Sequence, residues 1–334
     1  MSSAISTPTA DEYTAIQRFL EDVYGHGLNY FPLHYGWCWR PEHMDYAHIY
    51  CLRENGRIAS LVRVFPLPLQ QGAAQVKVAG IGAVSTLPAH RGKGYMKRLL
   101  EYAIAAMRRE GFPVSILWGD QHRYQPFGYQ TAGKMIALSV SRRGLEKARL
   151  APLTPARFQG QEQLFKSIFQ AYQRNPFRHL RTEPQCRAAY EHARLLLYAA
   201  GEAEKFGYLG LFYDAGMTSG AVEFGGHPST ILQIAANLME RFGVSTLEFR
   251  FPKWSLIPPD FVRVASYWKV EPAGQIKILD LEATLKDFRP QTPQFSPGEM
   301  TALTALPETE QVDALFGTAN NSPFNLFFWP LDHI

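Results

Sequence analysis

The feature that most constrains this 334-residue chain is the stretch 81–111, where a strand pattern leads through a basic bend into a helix pattern. Apolar residues recur at helical spacing from Met96 to Met107, and charged residues take the opposite face. The bend at residues 90–94 contains two glycines and three basic residues. The stretch therefore predicts a strand, a tight glycine-rich bend and an amphipathic helix in direct succession.

The start of this helix is unusual because it carries cations where anions are favoured. A helix N-terminus usually has Ser, Thr, Asp or Asn as its cap and acidic residues in its first turn. Here His90, Arg91 and Lys93 surround the positive end of the helix, and Gly92 and Gly94 leave the backbone N–H groups uncovered. A phosphate docked on these amides would explain the arrangement, and a solvated basic turn is the alternative.

Composition excludes several classes of protein. The chain is 46% hydrophobic and 19% charged, which is typical of folded domains and argues against disorder. A net charge of +4 suits a small anionic ligand but is too weak to indicate nucleic-acid binding. Cys38, Cys51 and Cys186 form neither a disulfide framework nor a zinc pattern, which favours a cytoplasmic location. The sequence shows neither a signal peptide nor a transmembrane run.

The segment 24–50 is dense in rings, with eight aromatic residues and four histidines among 27 residues. One interpretation is a pocket wall or a lid over a substrate. The other is a loop-rich part of the core, because aromatic residues dominate ordinary cores as well. A metal site at His43 and His48 is not predicted, since no third ligand stands at suitable spacing.

The rest of the first half predicts a mixed α and β structure. Asn55-Gly56 between two apolar runs is a strong hairpin signal. The predicted order is helix 14–23, strands 48–53, 57–66 and 75–84, the helix described above, and strands 113–118 and 134–140.

Two motifs in this half carry a resemblance to a known family. Residues 84–94 resemble motif A of the GCN5-related N-acetyltransferases (GNAT superfamily), and residues 124–129, about 30 positions later, resemble motif B. The superfamily pattern Arg/Gln-x-x-Gly-x-Gly/Ala is met at Arg91 and Gly94. Met96 stands where Gly or Ala is usual, and in this respect the chain resembles the Eis-type branch (enhanced intracellular survival).

The resemblance implies an α+β fold with two tandem GNAT-like domains, each a mixed sheet flanked by helices, and a small C-terminal region. The expected divisions are a catalytic domain at 1–150, a second GNAT-like domain at 151–270 and a reduced sterol-carrier-like domain at 271–334. Helices are predicted at 162–174 and 183–197. They are followed by strands at 206–213 and 218–224, a helix at 228–242 and a strand at 246–251. This last order repeats the first half without its basic bend, so the second copy is not expected to bind the cofactor.

Acetyl-CoA as donor and a primary amine as acceptor are further implications of the resemblance, and no metal is expected. The diphosphate would lie on the amides of 92–96, and the strand edge near 84–86 would bind the pantetheine arm as an added strand. Backbone N–H groups of 85–87 would polarise the thioester carbonyl. The predicted cofactor-binding residues are Val84, Ser85, Thr86, Arg91, Gly92, Lys93, Gly94, Tyr95 and Met96.

Proton transfer also has candidates. The motif match places Tyr124 where the superfamily keeps the acid that protonates the leaving thiolate. An acceptor ammonium must first lose a proton, and the candidate bases are the Ile334 carboxylate, acting through water, and Asp120 or His122. Ile334 is named by resemblance alone, because Eis-type proteins bring their terminal carboxylate into the transferase site. The alternative is a tail that packs on the core and serves stability only.

Two other functions stay open at the level of sequence. One is a catalytically silent module that binds acyl-CoA, against which Tyr124 argues. The other is a peptidyl transferase of the two-GNAT type that uses aminoacyl-tRNA, which should need a broader basic face than a charge of +4 supplies. The acceptor, a small molecule or a peptide amine, and the oligomeric state are not determined by the sequence.

Overall fold

The structure is a computed structural model that describes residues 4–214, 217–291, 295–318 and 322–333. The strands are β1 Ile5–Ser6, β2 Ile49–Glu54, β3 Arg57–Gln71, β4 Ala74–Thr86, β5 Val114–Leu117, β6 Gln130–Ala132, β7 Met135–Ser141, β8 Ala156–Arg157, β9 Phe177–His179, β10 Leu195–Ala200, β11 Gly207–Asp214, β12 Met217–Gly226, β13 Thr246–Phe251, β14 Ala265–Glu271 and β15 Gly274–Ile278. The helices are α1 Tyr13–Tyr24, α2 Tyr30–His34, α3 Gly36–Trp39, α4 Tyr95–Arg109, α5 Gln121–Tyr124, α6 Arg142–Lys147, α7 Glu162–Gln173, α8 Glu183–Tyr190, α9 Pro228–Arg241, α10 Pro259–Val264, α11 Leu281–Phe288, α12 Pro297–Ala305 and α13 Glu308–Phe316.

The first sheet is built on the long hairpin of β3 and β4. Its strand order is β1-β2-β3-β4-β5-β15-β6, and β9 pairs with β3 outside this path. Asn55 and Gly56 both have positive φ, 49° and 77°, which confirms the predicted turn between β2 and β3. β4 and β5 are parallel, and α4 crosses between them on one face of the sheet. The other face packs against α1 and the C-terminal segment.

The second half repeats the order strand, helix, strand in β12, α9 and β13, as predicted. β12 lies at the edge of a four-stranded sheet, whereas β13 belongs to a three-stranded sheet with β7 and β14. The two strands contact each other without pairing. The mixed α and β architecture with repeated sheet-and-helix units is thereby confirmed.

Strand pairing crosses both of the predicted domain boundaries. β7, expected as the last strand of the first half, pairs with β13 and β14. β15, from the C-terminal region, lies between β5 and β6 in the first sheet. The divisions at 150/151 and 270/271 therefore describe the order along the chain, and as domain boundaries they stay a prediction.

The helix predicted at 183–197 is wrong in its second part. The helix α8 ends at Tyr190, and the strand β10 begins at Leu195. The run Leu-Leu-Leu-Tyr-Ala-Ala is apolar throughout, so its periodicity does not distinguish a buried strand from a buried helix. Pairing with both β8 and β11 decides the conformation, and this information is not local.

The C-terminal segment, residues 322–333, is buried along nearly its whole length. Phe324, Leu326 and Phe328 join the core under the first sheet, and Phe327 and Trp329 join the core of the second half. The Gln71 side chain brackets the Phe327 backbone, with hydrogen bonds of 2.9 Å to its N–H and its carbonyl oxygen. The segment therefore ties the two halves together.

The aromatic segment at 24–50 is mainly core, and one end of it is exposed. Trp37 and Trp39 are 4% and 2% exposed, whereas Tyr24 is 42% exposed. Between these ends the rings of Tyr24, His26 and Tyr30 stack in sequence. The core interpretation holds for Trp37 and Trp39, and Tyr24 lines the cavity described below, so the interpretation as a pocket wall stays a prediction.

We expect His48 to make folding stability depend on pH. Its Nδ1 lies 2.6 Å from Asp45 Oδ2 and its Nε2 lies 2.7 Å from Glu110 Oε2, at the end of α4. The hydrogen bond to Asp45, and then the one to Glu110, raises the pKa of His48. A raised folded pKa stabilises the protein fully below the unfolded value of about 6.5, and the stabilisation is lost as the pH rises through the folded pKa.

The effect should be about 1 kcal/mol or less, because both carboxylates are partly exposed. Urea denaturation of the wild type and of His48→Gln across this pH range measures it. The loss of stability with rising pH should be flatter in His48→Gln and unchanged in the exposed control His122→Gln. A wild-type slope retained in His48→Gln would assign the pH dependence to another group.

Candidate active site

The site lies where β4 and β5 separate. The two strands pair from Val78 and Val114 to Ile81 and Leu117. β5 then ends, and β4 continues to Thr86 with β3 on one side only. The opposite edge of residues 82–86 is therefore open to an extended ligand that hydrogen-bonds as an added strand.

A β-bulge reshapes this open edge. Leu61 pairs with Ser85 and Arg63 pairs with Gly82, so Ala83 and Val84 together face a single residue of β3. Ala83 has φ of 51°, in the left-handed region that costs a non-glycine residue about 1–2 kcal/mol. Bulges and strained residues of this kind concentrate at functional sites, because surrounding contacts must hold them in place.

The start of α4 has the bare geometry predicted from the sequence. Gly94 is the N-cap with φ of 74°, no side chain caps the helix, and no acidic residue stands in its first turn. Gly92 also has positive φ, 78°. A Cβ at either glycine would meet no atom within 4 Å, so the backbone conformation, and not crowding, requires glycine here.

A cavity of about 720 Å³ joins the strand edge to this helix start. Eight of the nine predicted cofactor-binding residues line it, and Lys93 does not. The lining cations include Arg91, Lys97 and Arg123, and no acidic residue is among the described residues of the lining. The full lining is Val23, Tyr24, Val84, Ser85, Thr86, His90, Arg91, Gly92, Gly94, Tyr95, Met96, Lys97 and Arg123.

Lys93 does not line the cavity, because its side chain contacts Glu54 and His90. Its Nζ lies 3.3 Å from Glu54 Oε1 and 3.3 Å from His90 Nδ1. The Tyr95 hydroxyl donates to the same Glu54 carboxylate. These hydrogen bonds, from Tyr95 first and Lys93 second, lower the pKa of Glu54. Arg91 is therefore a stronger candidate than Lys93 for direct contact with an anion.

Tyr124 ends the short helix α5 next to this cavity. Its neighbour Arg123 lines the cavity, and Tyr124 itself is only 6% exposed. Burial raises the pKa of Tyr124 above its usual value, and Arg123 partly offsets this. The phenol is therefore protonated at neutral pH, which is the state that a proton donor requires.

Asp120 has a structural role that competes with action as a base. Its side-chain oxygen accepts the backbone N–H of His122 at 3.0 Å and so caps α5. His122 itself is exposed to solvent. Both residues stand near Tyr124 in the chain, and neither lines the cavity.

The C-terminal segment reaches the end of β5. The His333 ring stacks on the Trp118 ring with centroids 4.4 Å apart, and Trp118 directly follows β5. The Trp118 ring is held in turn by its Nε1, which donates to the Ala273 carbonyl at 2.7 Å. Burial lowers the pKa of His333 to about 4, so this ring is neutral at neutral pH. Ile334, the predicted base, lies outside the described residues.

A larger cavity of about 1010 Å³ lies in the second half, beside the start of α9. Its walls include Phe224, Phe251 and Trp329, and the helix there begins at Pro228, which has no N–H to offer an anion. The smaller cavity is therefore the candidate active site, because it combines a cationic lining, exposed helix amides and an open strand edge.

Tyr24, Arg123 and the nearby Trp118 are among the residues at this site that sequence reasoning missed. Tyr24 donates to the Val84 carbonyl at 3.4 Å and lines the cavity, Arg123 lines it too, and Trp118 supports the chain end. Tyr24 belongs to the aromatic segment already singled out, whereas Arg123 and Trp118 carry no local signal. In the part of the chain that the structure describes, no group of three or more His, Cys, Asp or Glu could hold a metal. Nor is any described helix long and apolar enough to cross a bilayer.

Comparison with known proteins agrees with this geometry. Residues 4–132 match the family model of the acetyltransferase (GNAT) domain. No curated protein is similar enough in sequence to match the chain.

Solved structures share the fold across most of the chain. A GCN5-related N-acetyltransferase from Kribbella flavida is 16% identical with a TM-score of 0.61, covering 85% of this chain and 73% of its own. One from Anabaena variabilis is 14% identical with a TM-score of 0.60, covering 85% and 74%. Eis1 from Mycobacterium abscessus is 16% identical with a TM-score of 0.58, covering 85% and 75%.

The family match covers the part of the chain that builds the cavity, and the structural likeness extends through the second half. The resemblance recognised in the sequence is confirmed. Residues 4–132 match the acetyltransferase (GNAT) domain, and the chain as a whole has the fold of the GCN5-related N-acetyltransferases, with Eis1 from Mycobacterium abscessus among the solved structures that share it.

Proposed function

We propose that the protein transfers an acetyl group from acetyl-CoA to a primary amine by direct attack while both substrates are bound. The observation that carries this proposal is the cavity at the start of α4, which combines uncapped helix amides with Arg91 and an open strand edge. The donor is a substrate rather than a resident cofactor, and no metal takes part. We also propose a cytoplasmic location, on the sparse, unpaired cysteines of the sequence.

Different residues of the cavity bind different parts of acetyl-CoA. The amides of residues 92–96 and the Arg91 guanidinium bind the diphosphate, because a helix N-terminus and a cation both favour negative charge. The open edge of residues 84–86 hydrogen-bonds the pantetheine arm. Lys93 acts indirectly, since Glu54 holds it outside the cavity lining.

The bulge changes the assignment of the group that polarises the thioester. The N–H of Leu87 donates to the Ala59 carbonyl at 3.0 Å, so it is already occupied. Ala83 and Val84 share one partner residue on β3. We assign the polarising N–H to this bulge, where it faces a carbonyl on which charge develops during attack.

Three proton transfers complete the reaction. The amine nitrogen bonds to the acetyl carbon as the C–S bond breaks, and Tyr124 donates its proton to the departing thiolate. The nitrogen then loses its extra proton through water to the Tyr124 phenolate, which leaves a neutral amide and restores the phenol. An acceptor ammonium loses its proton beforehand to the Ile334 carboxylate through water. Support for Ile334 comes from His333, the last described residue, whose ring stacks on Trp118 directly after β5.

The proposal is tested by mixing the protein and acetyl-CoA with panels of polyamines, peptides and aminoglycosides. Release of CoA with at least one amine is expected. Tight binding of acetyl-CoA without release in any panel would favour a silent acyl-CoA-binding module. Binding of aminoacyl-tRNA at low salt would favour the two-GNAT peptidyl transferase.

Removing Ile334 alone should lower kcat about 100-fold, because the base is then displaced by one residue. A longer deletion of 332–334 would confound the result, since Asp332 is 1% exposed and takes part in a buried ion pair. The melting temperature and the KM for acetyl-CoA should stay close to wild type. An unchanged kcat would move the role of base to another group. An Ile334→Ala variant, which keeps the carboxylate in place, is the control.

A further inference from the structure

A fully buried charged cluster lies in the second half, apart from the residues assigned above. We call Arg181, Glu223 and Asp332 the Arg181 cluster. The three side chains are 0–1% exposed. Arg181 stands two residues after β9, Glu223 is in β12, and Asp332 belongs to the C-terminal segment. The cluster thus joins three parts of the chain that are distant in sequence.

All three nitrogens of the Arg181 guanidinium donate hydrogen bonds to carboxylates. Its Nε donates to Asp332 Oδ1 at 2.9 Å, and its Nη2 donates to the same oxygen. Its Nη1 donates to Glu223 Oε2 at 2.8 Å. Tyr190 and Tyr208 hold the other oxygen of Glu223, at 2.7 Å and 3.2 Å. The planar fork of arginine, with donors in fixed directions, therefore sets the position of Asp332.

Stability alone does not account for this cluster. The C-terminal segment already buries Phe324, Leu326 and Trp329, each 3% exposed or less. A buried ion pair gives little net stability over apolar residues of the same size, because removing charges from water is costly. Asp332 Oδ2 has no hydrogen-bond partner among the described residues, which a purely structural cluster would avoid.

The residue that the cluster holds, Asp332, is next to the residue that reaches the end of β5, where β4 and β5 separate. Asp332 precedes His333, whose ring stacks on Trp118 at the end of β5. Phe328, earlier in the same segment, packs edge-to-face with the Trp118 ring, with ring centroids 5.3 Å apart. The part of the C-terminal segment that passes Trp118 is thus held by apolar packing at Phe328 and by the ion pair of Asp332 with Arg181.

We infer that Arg181 is a positioning residue for acetyl transfer: through Asp332 it sets the position of His333 beside Trp118 at the end of β5. The inference rests on the proposed function, and it concerns a residue that touches neither substrate. Apolar packing retains the C-terminal segment, and the directional hydrogen bonds of the Arg181 cluster give that segment one position. A displacement of about 1 Å in a reacting group can cost on the order of 100-fold in rate.

Arg181→Lys is the first test, because lysine keeps the charge and loses the fork. We expect kcat to fall about 10- to 100-fold and the KM for acetyl-CoA to stay within about twofold. Arg263→Lys, at the exposed pair with Asp260, is the matched control and should change neither. A kcat within about twofold of wild type for Arg181→Lys would overturn the inference.

A triple variant separates position from stability. Arg181→Met, Glu223→Gln and Asp332→Leu together replace the ionic groups with residues of similar size, which should bring the melting temperature back near wild type. We expect kcat to stay low in this variant although the fold is stable. Recovery of kcat together with the melting temperature would show that the cluster acts through stability only.

A measurement without turnover keeps the two proposals distinguishable. Hydrogen exchange of residues 322–333 and carboxypeptidase digestion report the end of the chain directly. Both should show protection in the wild type and faster exchange and trimming in Arg181→Lys. If this holds while no amine supports turnover, the positioning stands and the proposed acetyl transfer fails. Equal protection in both proteins refutes the positioning whatever the activity.

Discussion

Replacing Tyr124 by Phe is expected to lower kcat about 100-fold and to leave the Kd for acetyl-CoA within about twofold. The substitution removes one hydroxyl from a side chain that is 6% exposed and keeps the ring that packs beside Gly119. Tyr124 does not line the cavity, so donor binding should not depend on it. Initial rates of CoA release and calorimetric titration with acetyl-CoA measure the two quantities.

Tyr129→Phe is the matched control for this substitution. Tyr129 is fully buried in the same segment, and its hydroxyl lies 2.7 Å from the Ser115 hydroxyl. Its loss should cost about 1 kcal/mol of stability and leave kcat near wild type. An unchanged kcat in Tyr124→Phe, or an equal fall in both variants, would remove Tyr124 as the specific proton donor.

The pH dependence of kcat gives a second check on Tyr124. Because burial raises its pKa, the acid form persists above the usual tyrosine value of about 10. A donor is active below its pKa and is lost above it. Any fall of kcat from loss of the donor should therefore begin only above about pH 10, and Tyr124→Phe should lack that fall.

Arg91→Glu is expected to weaken acetyl-CoA binding about 10- to 100-fold, the second large effect. The substitution places a carboxylate at the mouth of the cavity, beside amides that favour an anion. Arg91 is exposed, so the melting temperature of the free protein should change little. Titration calorimetry with CoA at two salt concentrations measures the effect and its screening.

Two charge reversals test whether the effect belongs to the site. Arg18→Glu, on an exposed position of α1, makes the same change in net charge and should leave the Kd within about twofold. Lys93→Glu should weaken binding less than Arg91→Glu, because Lys93 lies outside the cavity lining and contacts Glu54. Equal weakening in all three variants would reduce the docking claim to an effect of net charge.

Reversal of Arg91 with no loss of affinity would contradict the central structural claim. The bare start of α4 would then be a solvated basic turn, the alternative that the sequence left open. The cavity would still exist, but the proposed donor site would have to lie elsewhere in the fold.

The parts of the fold that follow from neighbouring residues were predictable. The turn at Asn55-Gly56 requires positive φ, and that pair of residues is among the few that adopt it readily. The helix α4 follows from apolar spacing, and its uncapped start follows from the glycines and cations before it. Eight residues predicted from residues 84–96 line one cavity, because residues so close in sequence stay close in space.

The parts that depend on distant residues were not predictable. β10 was mistaken for helix because its strand partners are not visible in its own apolar run. The place of β15 in the first sheet and the pairing of β7 with β13 join segments more than 100 residues apart. An apolar run predicts that a segment is buried, and only the tertiary packing decides which other segment it contacts.

By itself, the sequence determined the resemblance to the GNAT acetyltransferases, the basic glycine-rich bend before α4 and the position of Tyr124 after it, because these depend on backbone conformation and spacing within a few residues. Only the tertiary structure decided that Tyr24 and Arg123 share the cavity and that Lys93 is outside it. It also decided that Arg181 pairs with Asp332, 151 residues later in the chain. Such contacts arise from the folding of the whole chain, where burial and directional hydrogen bonds select one arrangement among many that the local pattern allows.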